Sequence, residues 1–218
     1  PGQREHLSKS TDAANHLLDI LNDILDVSKI EAGKLSLEQR DFAIDEVLER
    51  TCASVREQAK AKGLALCHAI DPALQVPLYG DPLRLGQILQ NFIDNAVKFT
   101  ERGTITLRAH LLESGADGLL TRFEVTDTGI GIGAEDQRNL FQPFTQADTS
   151  ISRKYGGAGL GLTICAHLVH LMGGKIGADS VLGQGSTFWF TVPLGRGTAA
   201  HSPDEIVPPP TNDNESQS

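Results

Sequence analysis

Between residues 81 and 100 the sequence reads DPLRLGQILQNFIDNAVKFT. At about 100° per residue, Arg84, Gln87, Asn91, Asn95 and Lys98 fall within a narrow arc, and Leu85, Ile88, Leu89, Phe92, Ala96 and Phe99 gather on the other side. Asparagine is a poor helix former, and an idle surface would more readily hold Lys, Glu or Gln. Two asparagines one turn apart, with a lysine beyond them, offer neutral oxygens to a hydrated Mg²⁺ and a cation to a phosphate. An ordinary solvated face has the same outline, so the arc by itself does not establish a site.

Two glycine-rich segments follow. Asp127-Thr128-Gly129-Ile130-Gly131-Ile132-Gly133 comes directly after FEVTD, a strand pattern. An ionised carboxylate at a strand end only accepts hydrogen bonds, which suits an exocyclic amine such as that of adenine, and the glycines let backbone approach a flat ring. Turns after strands also look like this. Gly156-Gly157-Ala158-Gly159-Leu160-Gly161-Leu162 opens a helix, where free N–H groups and the helix dipole make a phosphate cradle; a tight structural turn reads the same way. Neither a GxxxxGK[ST] loop nor the GxGxxG spacing of a dinucleotide fold is present.

The elements that must hold these residues can be read from periodicity. Leu7, Ala14, Leu17, Leu18, Leu21, Ile24, Leu25 and Ser28 form a narrow seam on a helix from about Gln3 to Ile30, suited to packing in a bundle or onto its own domain. LSLE (35–38) alternates like a strand, and a helix from about Asp45 to Lys62 stops at Gly63. Leu64 to Ile70 reads as a strand. Asp81-Pro82 is a helix start, the carboxylate capping free N–H groups and the proline preset for the first turn; this helix should run to about Phe99. TITLRAHLLE and LLTRFEVTD form a hairpin. A short helix ends near Leu140, a polar stretch covers 145–156, and a helix runs from about Leu160 to Met172. The strands KIGAD (175–179) and STFWFTVPL (186–194) close the domain. Residues 195–218, poor in large apolar side chains and rich in Pro, Ser and acid, read as a tail or linker.

The chain of 218 residues has a net charge of -9, which argues against a nucleic-acid grip. The three cysteines, Cys52, Cys67 and Cys165, show no CxxC pair or metal-ligand spacing, which favours a reducing cytoplasm. No apolar run approaches the roughly 18 to 20 residues that span a bilayer, so no membrane contact is expected of this segment. The fold class expected is α+β: a two-layer sandwich with a mixed, mostly antiparallel sheet under helices, preceded by a long bundle-type helix.

Taken in order, DPLRLGQILQNFIDNAVKFT, DTGIGI, FQPF, GGAGLGL and GQGSTFWF resemble the N, G1, F, G2 and G3 boxes of histidine kinase ATP-binding domains. These have the Bergerat fold shared with gyrase, heat-shock chaperone and mismatch-repair ATPases. NDILDVSKIEAGKL is similar to the end of the second dimerisation helix and its linker in hybrid-type histidine kinases. The resemblance implies three regions: a partial dimerisation segment (1–33), an ATP-binding catalytic domain (34–194) and a tail (195–218). It implies that Asn95 coordinates Mg²⁺ on the ATP phosphates, that Asn91 and Lys98 are catalytic and phosphate-directed, and that Asp127 binds the adenine amino group. Gly129 and Gly131 would line the adenine, Gly157, Gly159, Leu160 and Gly161 would cradle phosphates, and Thr187 would help close the adenine end. Phe141 and Phe144 with 145–156 would form a mobile ATP lid.

The same resemblance implies ATP and Mg²⁺ as cofactors, a homodimer through the N-terminal helix and a response-regulator receiver domain as partner. One departure matters: no HELRTP-like acceptor motif is present. His6 is followed by Leu-Ser-Lys and His16 by Leu-Leu-Asp, so no phosphoacceptor is expected within these residues, and His167 and His170 read as helix surface. Position 91 is Asn, where the clamp-type ATPases of this fold carry a glutamate that activates water.

Overall fold

The computed structural model describes Leu25, Ser28 and residues 33–116, 118–142 and 161–198. Leu25 and Ser28 are helical; the rest of the expected N-terminal helix lies outside the described residues, as do Phe144, 145–156, Gly157, Gly159, Leu160 and the tail from 199.

The order is β1 (Arg40–Phe42), α1 (Ile44–Ala61), β2 (Ala65–Ile70), a 3-10 turn (Pro72–Leu74), β3 (Leu78–Gly80), α2 (Pro82–Phe99), β4 (Thr104–Gly115), β5 (Gly118–Asp127), α3 (Ala134–Gln137), α4 (Gly161–Leu171), β6 (Lys175–Val181) and β7 (Gly185–Arg196). The seven strands make one sheet in the order β1-β3-β7-β5-β4-β2, with β6 also on β7. Only β2 and β4 pair in parallel.

The expected strand at LSLE is absent. Residues 35–38 have no regular structure; Leu35 and Leu37 pack against the core, and pairing starts at Arg40. Alternation there records two side chains leaning inward from an unpaired backbone. The expected helix to Leu140 shrinks to Ala134–Gln137 followed by turns. β3, three residues long, shows no sequence period. β7 continues past 194 to Arg196, because β3 pairs with Gly195 and Arg196.

Helices cover one face of the sheet. α1 buries Ile44, Val47, Leu48, Thr51, Cys52, Val55 and Ala59, the spacing of one helical stripe, and packs on α2 and β2. It ends where Gly63 takes φ +67 and Leu64 N–H reaches back to Ala59 O at 2.9 Å. α2 lays Phe92 against Phe188 and Phe190, with ring centroids 5.4 and 5.9 Å apart. Along β5, Leu119, Thr121, Phe123, Val125 and Asp127 point to this covered face, and Ser186, Phe188, Phe190, Val192 and Leu194 face them across the register of β7. The opposite face is polar: Arg122 lies 4.2 Å over the Trp189 ring, whose Nε1 donates to Asp179 at 2.9 Å.

Candidate nucleotide site

α2 is anchored at its start by one carboxylate. Asp81 Oδ1 accepts from the N–H groups of Leu83 and Arg84 at 3.1 and 3.0 Å, while Oδ2 accepts from Glu38 N–H at 2.9 Å. The segment entering the domain is thereby tied to the helix that carries the polar arc. Lys62 Nζ performs the matching task at the other end, donating to Val97 O at 2.6 Å and Lys98 O at 3.2 Å.

Arg84, Gln87, Asn91, Asn95 and Lys98 all lie on a half-covered flank, whereas the solvated side presents Leu83, 61% exposed, and Asp94. The arc is thus half-covered rather than fully solvated. Asn95 Nδ2 donates to Asn91 Oδ1 at 3.2 Å, leaving the Asn95 amide oxygen to accept or to coordinate. Burial lowers the pKa of Lys98, whose ammonium stands 5.1 Å over the Phe99 ring. Gly161, at the start of α4, is packed so closely on Asn91 that a β-carbon there would collide with Nδ2. That contact joins the last glycine of the GGAGLGL segment to the asparagine pair.

The second half of the site forms where α2 ends. Asp127 is 6% exposed and its Oδ1 accepts from Gly129 N–H at 2.7 Å. Burial pushes its carboxyl above the ordinary value, and the N–H groups of Gly129 and Ser186 and the Thr100 hydroxyl act the other way. Gly129 is squeezed between Phe99 O, Asp127 Oδ1 and Thr100 Oγ1, with no room for a side chain. From Asn91 to Phe99 the helix rises about 12 Å at 1.5 Å per residue, so the amide pair precedes, along α2, the helix end against which Gly129 and Asp127 lie.

Two of the expected residues make contacts away from Asp127. Gly131 has φ +67 and is buried against Val181 O, in contact with the β6–β7 turn. Thr187 lies on the opposite face of the sheet from Asp127, its Oγ1 3.1 Å from that of Thr126. Ser186, directly paired with Asp127, occupies the near side; its hydroxyl lies 2.9 Å from Ser180 Oγ, which in turn accepts from Ile132 N–H at 2.8 Å. Ser186, Ser180 and Thr100 were not among the residues singled out from sequence. The pairing Asp127↔Ser186 follows from the hairpin and strand pattern only once the register is known. Phe141 packs against the core.

Among the described residues no group of three or more His, Cys, Asp or Glu side chains is placed to hold a metal, and no helix is long and apolar enough to cross a membrane. The donors that fit a cation here are the neutral amide oxygens of the asparagine pair, a set suited to Mg²⁺ that keeps most of its ligands as water and phosphate.

Comparisons with known proteins identify relatives of this chain. The sensor histidine kinase GacS of Pseudomonas protegens is 47% identical over 196 residues, which is 90% of this chain and 21% of that protein. The signal transduction histidine-protein kinase BarA of Escherichia coli is 45% identical over 194 residues, 89% of this chain and 21% of the other. The chain thus spans about a fifth of the length of these curated relatives. Among solved structures, full-length ShkA in complex with AMPPNP superposes with a TM-score of 0.77 at 34% identity, covering 91% of this chain and 40% of that one. The catalytic domain of histidine kinase ThkA gives 0.60 at 26% identity, over 72% and 95%. The family described as histidine kinase-, DNA gyrase B-, and HSP90-like ATPases matches residues 80–196, which contain the asparagine pair, Asp127 and β7, and this chain belongs to that family.

Proposed function

We propose that this chain binds Mg·ATP and passes the γ-phosphoryl group to the imidazole of a histidine upstream of residue 1, within a hybrid sensor histidine kinase. The observation that carries the reading is the Asn91–Asn95 pair on a half-covered flank of α2 with the buried Asp127, at the end of β5, beside the end of that helix.

Asp127 accepts from the adenine amine, and Gly129 leaves room for the base. Asn91 and Asn95 present amide oxygens toward the metal-bound phosphates, Lys98 supplies positive charge, and N–H groups of the glycine segment Gly157–Gly161 receive phosphate oxygens. Mg²⁺, when bound, neutralises phosphate charge. The bond to the β-phosphate oxygen breaks, the bond to the imidazole nitrogen forms, and ADP leaves; the protein's contribution is positioning and electrostatic stabilisation. Lys98 suits this role because burial disfavours its charged form, which an anionic ligand then stabilises.

Hydrolytic clamp chemistry is the less favoured reading, because an asparagine at position 91 has no basic group with which to activate water. Dimerisation through the N-terminal helix, a receiver domain as phosphoryl acceptor after the histidine, and a cytoplasmic location complete the proposal. The test is incubation with γ-labelled ATP. Residues 1–218 should bind ATP without labelling themselves, and a longer chain carrying both dimerisation helices should acquire acid-labile label. Strong label on His6 or His16 would refute the placement of the acceptor.

A further inference from the structure

Thr100 is fully buried, and its Oγ1 has no hydrogen-bond partner among the described residues. An unpaired buried hydroxyl costs stability, so its presence calls for a reason. Thr121 and Thr163 share the lack, but the Thr100 hydroxyl stands close enough to the Asp127 carboxylate to favour its charged form without a well-formed hydrogen bond to it. A β-carbon built on Gly129 would stand 2.8 Å from Asp127 Oδ1 and 2.9 Å from Thr100 Oγ1, so hydroxyl and carboxylate flank the same backbone atom.

The Thr100 backbone is held on both sides. Its N–H closes α2 onto Ala96 O at 3.1 Å, Lys62 donates to the carbonyl oxygens of Val97 and Lys98 in the last turn, and Ile130 N–H donates to Phe99 O at 3.3 Å. On so fixed a backbone the hydroxyl reorients only through its own side-chain torsions.

We propose that Thr100 is a positioning residue for base recognition: its hydroxyl donates to the Asp127 carboxylate once a nucleotide is seated, leaving the other carboxylate oxygen turned to the exocyclic amine. The idea rests on the reading of Asp127 as the adenine-binding carboxylate. The remaining groups acting on that carboxylate, from the loop after β5 and from β7, are the uncharged N–H groups of Gly129 and Ser186, so no second titrating side chain overlies its response.

The test compares the 218-residue chain with Thr100→Val and Thr100→Ser by calorimetric titration with Mg·ATP between pH 5 and 8, together with nucleotide-free melting. Thr100→Val keeps the shape and removes the donor. It should weaken ATP about tenfold, as expected for a hydrogen bond to a charged group, and move the acid limb of affinity to higher pH, while its nucleotide-free melting temperature stays level or rises. Thr100→Ser should restore affinity to within about twofold of wild type. The titration of ATP itself is common to all three proteins and cancels. If Thr100→Val does not fold, Thr100→Ala carries the same comparison. Unchanged affinity and acid limb in the donor-less variant would overturn the role of Thr100 and leave the ATP site standing; absence of ATP binding by the wild-type chain would overturn both.

Discussion

The first residue of α4, Gly161, lies directly against the side-chain amide of Asn91, with no space for a methyl group between them. Gly161→Ala should therefore push the Asn91 amide out of line without exposing core surface. The expected outcome is a loss of ATP affinity of about tenfold or more, corresponding to about 1.4 kcal/mol, with a melting temperature close to wild type. Isothermal titration and thermal melting of the same preparation decide it; unchanged affinity would separate the glycine segment from the phosphate site.

Asn95→Ala removes an amide that, among the described residues, hydrogen-bonds Asn91. Since the deleted group is a ligand contact rather than core packing, Mg-dependent ATP binding should fall steeply while the fold persists. The diagnostic is the gain in affinity on adding Mg²⁺, expected to be large in wild type and small in the variant. An equal Mg²⁺ response in both proteins would remove Asn95 from the metal.

Burial raises the pKa of Asp127 in the folded chain above its value when unfolded, near 3.9. A raised carboxyl favours folding below the unfolded pKa, and that contribution is lost as pH rises through the folded pKa. In the absence of nucleotide, the stability of Asp127→Asn relative to wild type should accordingly increase between about pH 4 and neutrality, while its ATP binding is lost. Urea titrations across this range measure the difference, and a relative stability that falls with rising pH would contradict the sign.

The C-terminal boundary can be located by truncation. Gly195 and Arg196 pair with Tyr79 and Leu78, Gly197 N–H donates to Pro77 O at 2.8 Å, Arg196 reaches Ser114 at 2.8 Å, and Thr198 donates to Asp41 at 2.6 Å. Deleting 199–218 should leave melting unchanged. Deleting 195–218 should cost on the order of 2 kcal/mol from lost hydrogen bonds, a drop of roughly 5 °C for a chain of this size. Equal melting of the two truncations would show that the β3–β7 ladder contributes nothing.

Much of this protein is legible without coordinates wherever physical constraints act locally. Asp81-Pro82 announces α2 because capping and a preset φ concern adjacent residues, and the cap is present as expected. The stop at Gly63 and the pairing of β4 with β5 are equally local. Asn91, Asn95 and Lys98 share an arc through helical geometry alone, so their alignment needed no partner element.

Which side of that helix and of each strand meets the site was settled by packing. In STFWFTV, both alternating sets contain hydroxyl and large apolar side chains, so a period of two defines two faces but does not say which is covered. The β5–β7 register places Ser186 beside Asp127 and turns Thr187 away. In the same way LSLE has the alternation of a strand without a partner backbone, and β3 gains its partners from β1 and β7, distant in sequence. The sequence by itself determined α1, α2, the helix before β6, the hairpin and the shared arc of Asn91, Asn95 and Lys98, because those depend on neighbours within a few residues. The sharing of one carboxylate by α2 and Glu38, the buried hydroxyl of Thr100 and the face taken by Ser186 were decided only by tertiary structure, because each depends on contacts between segments that chain connectivity leaves independent.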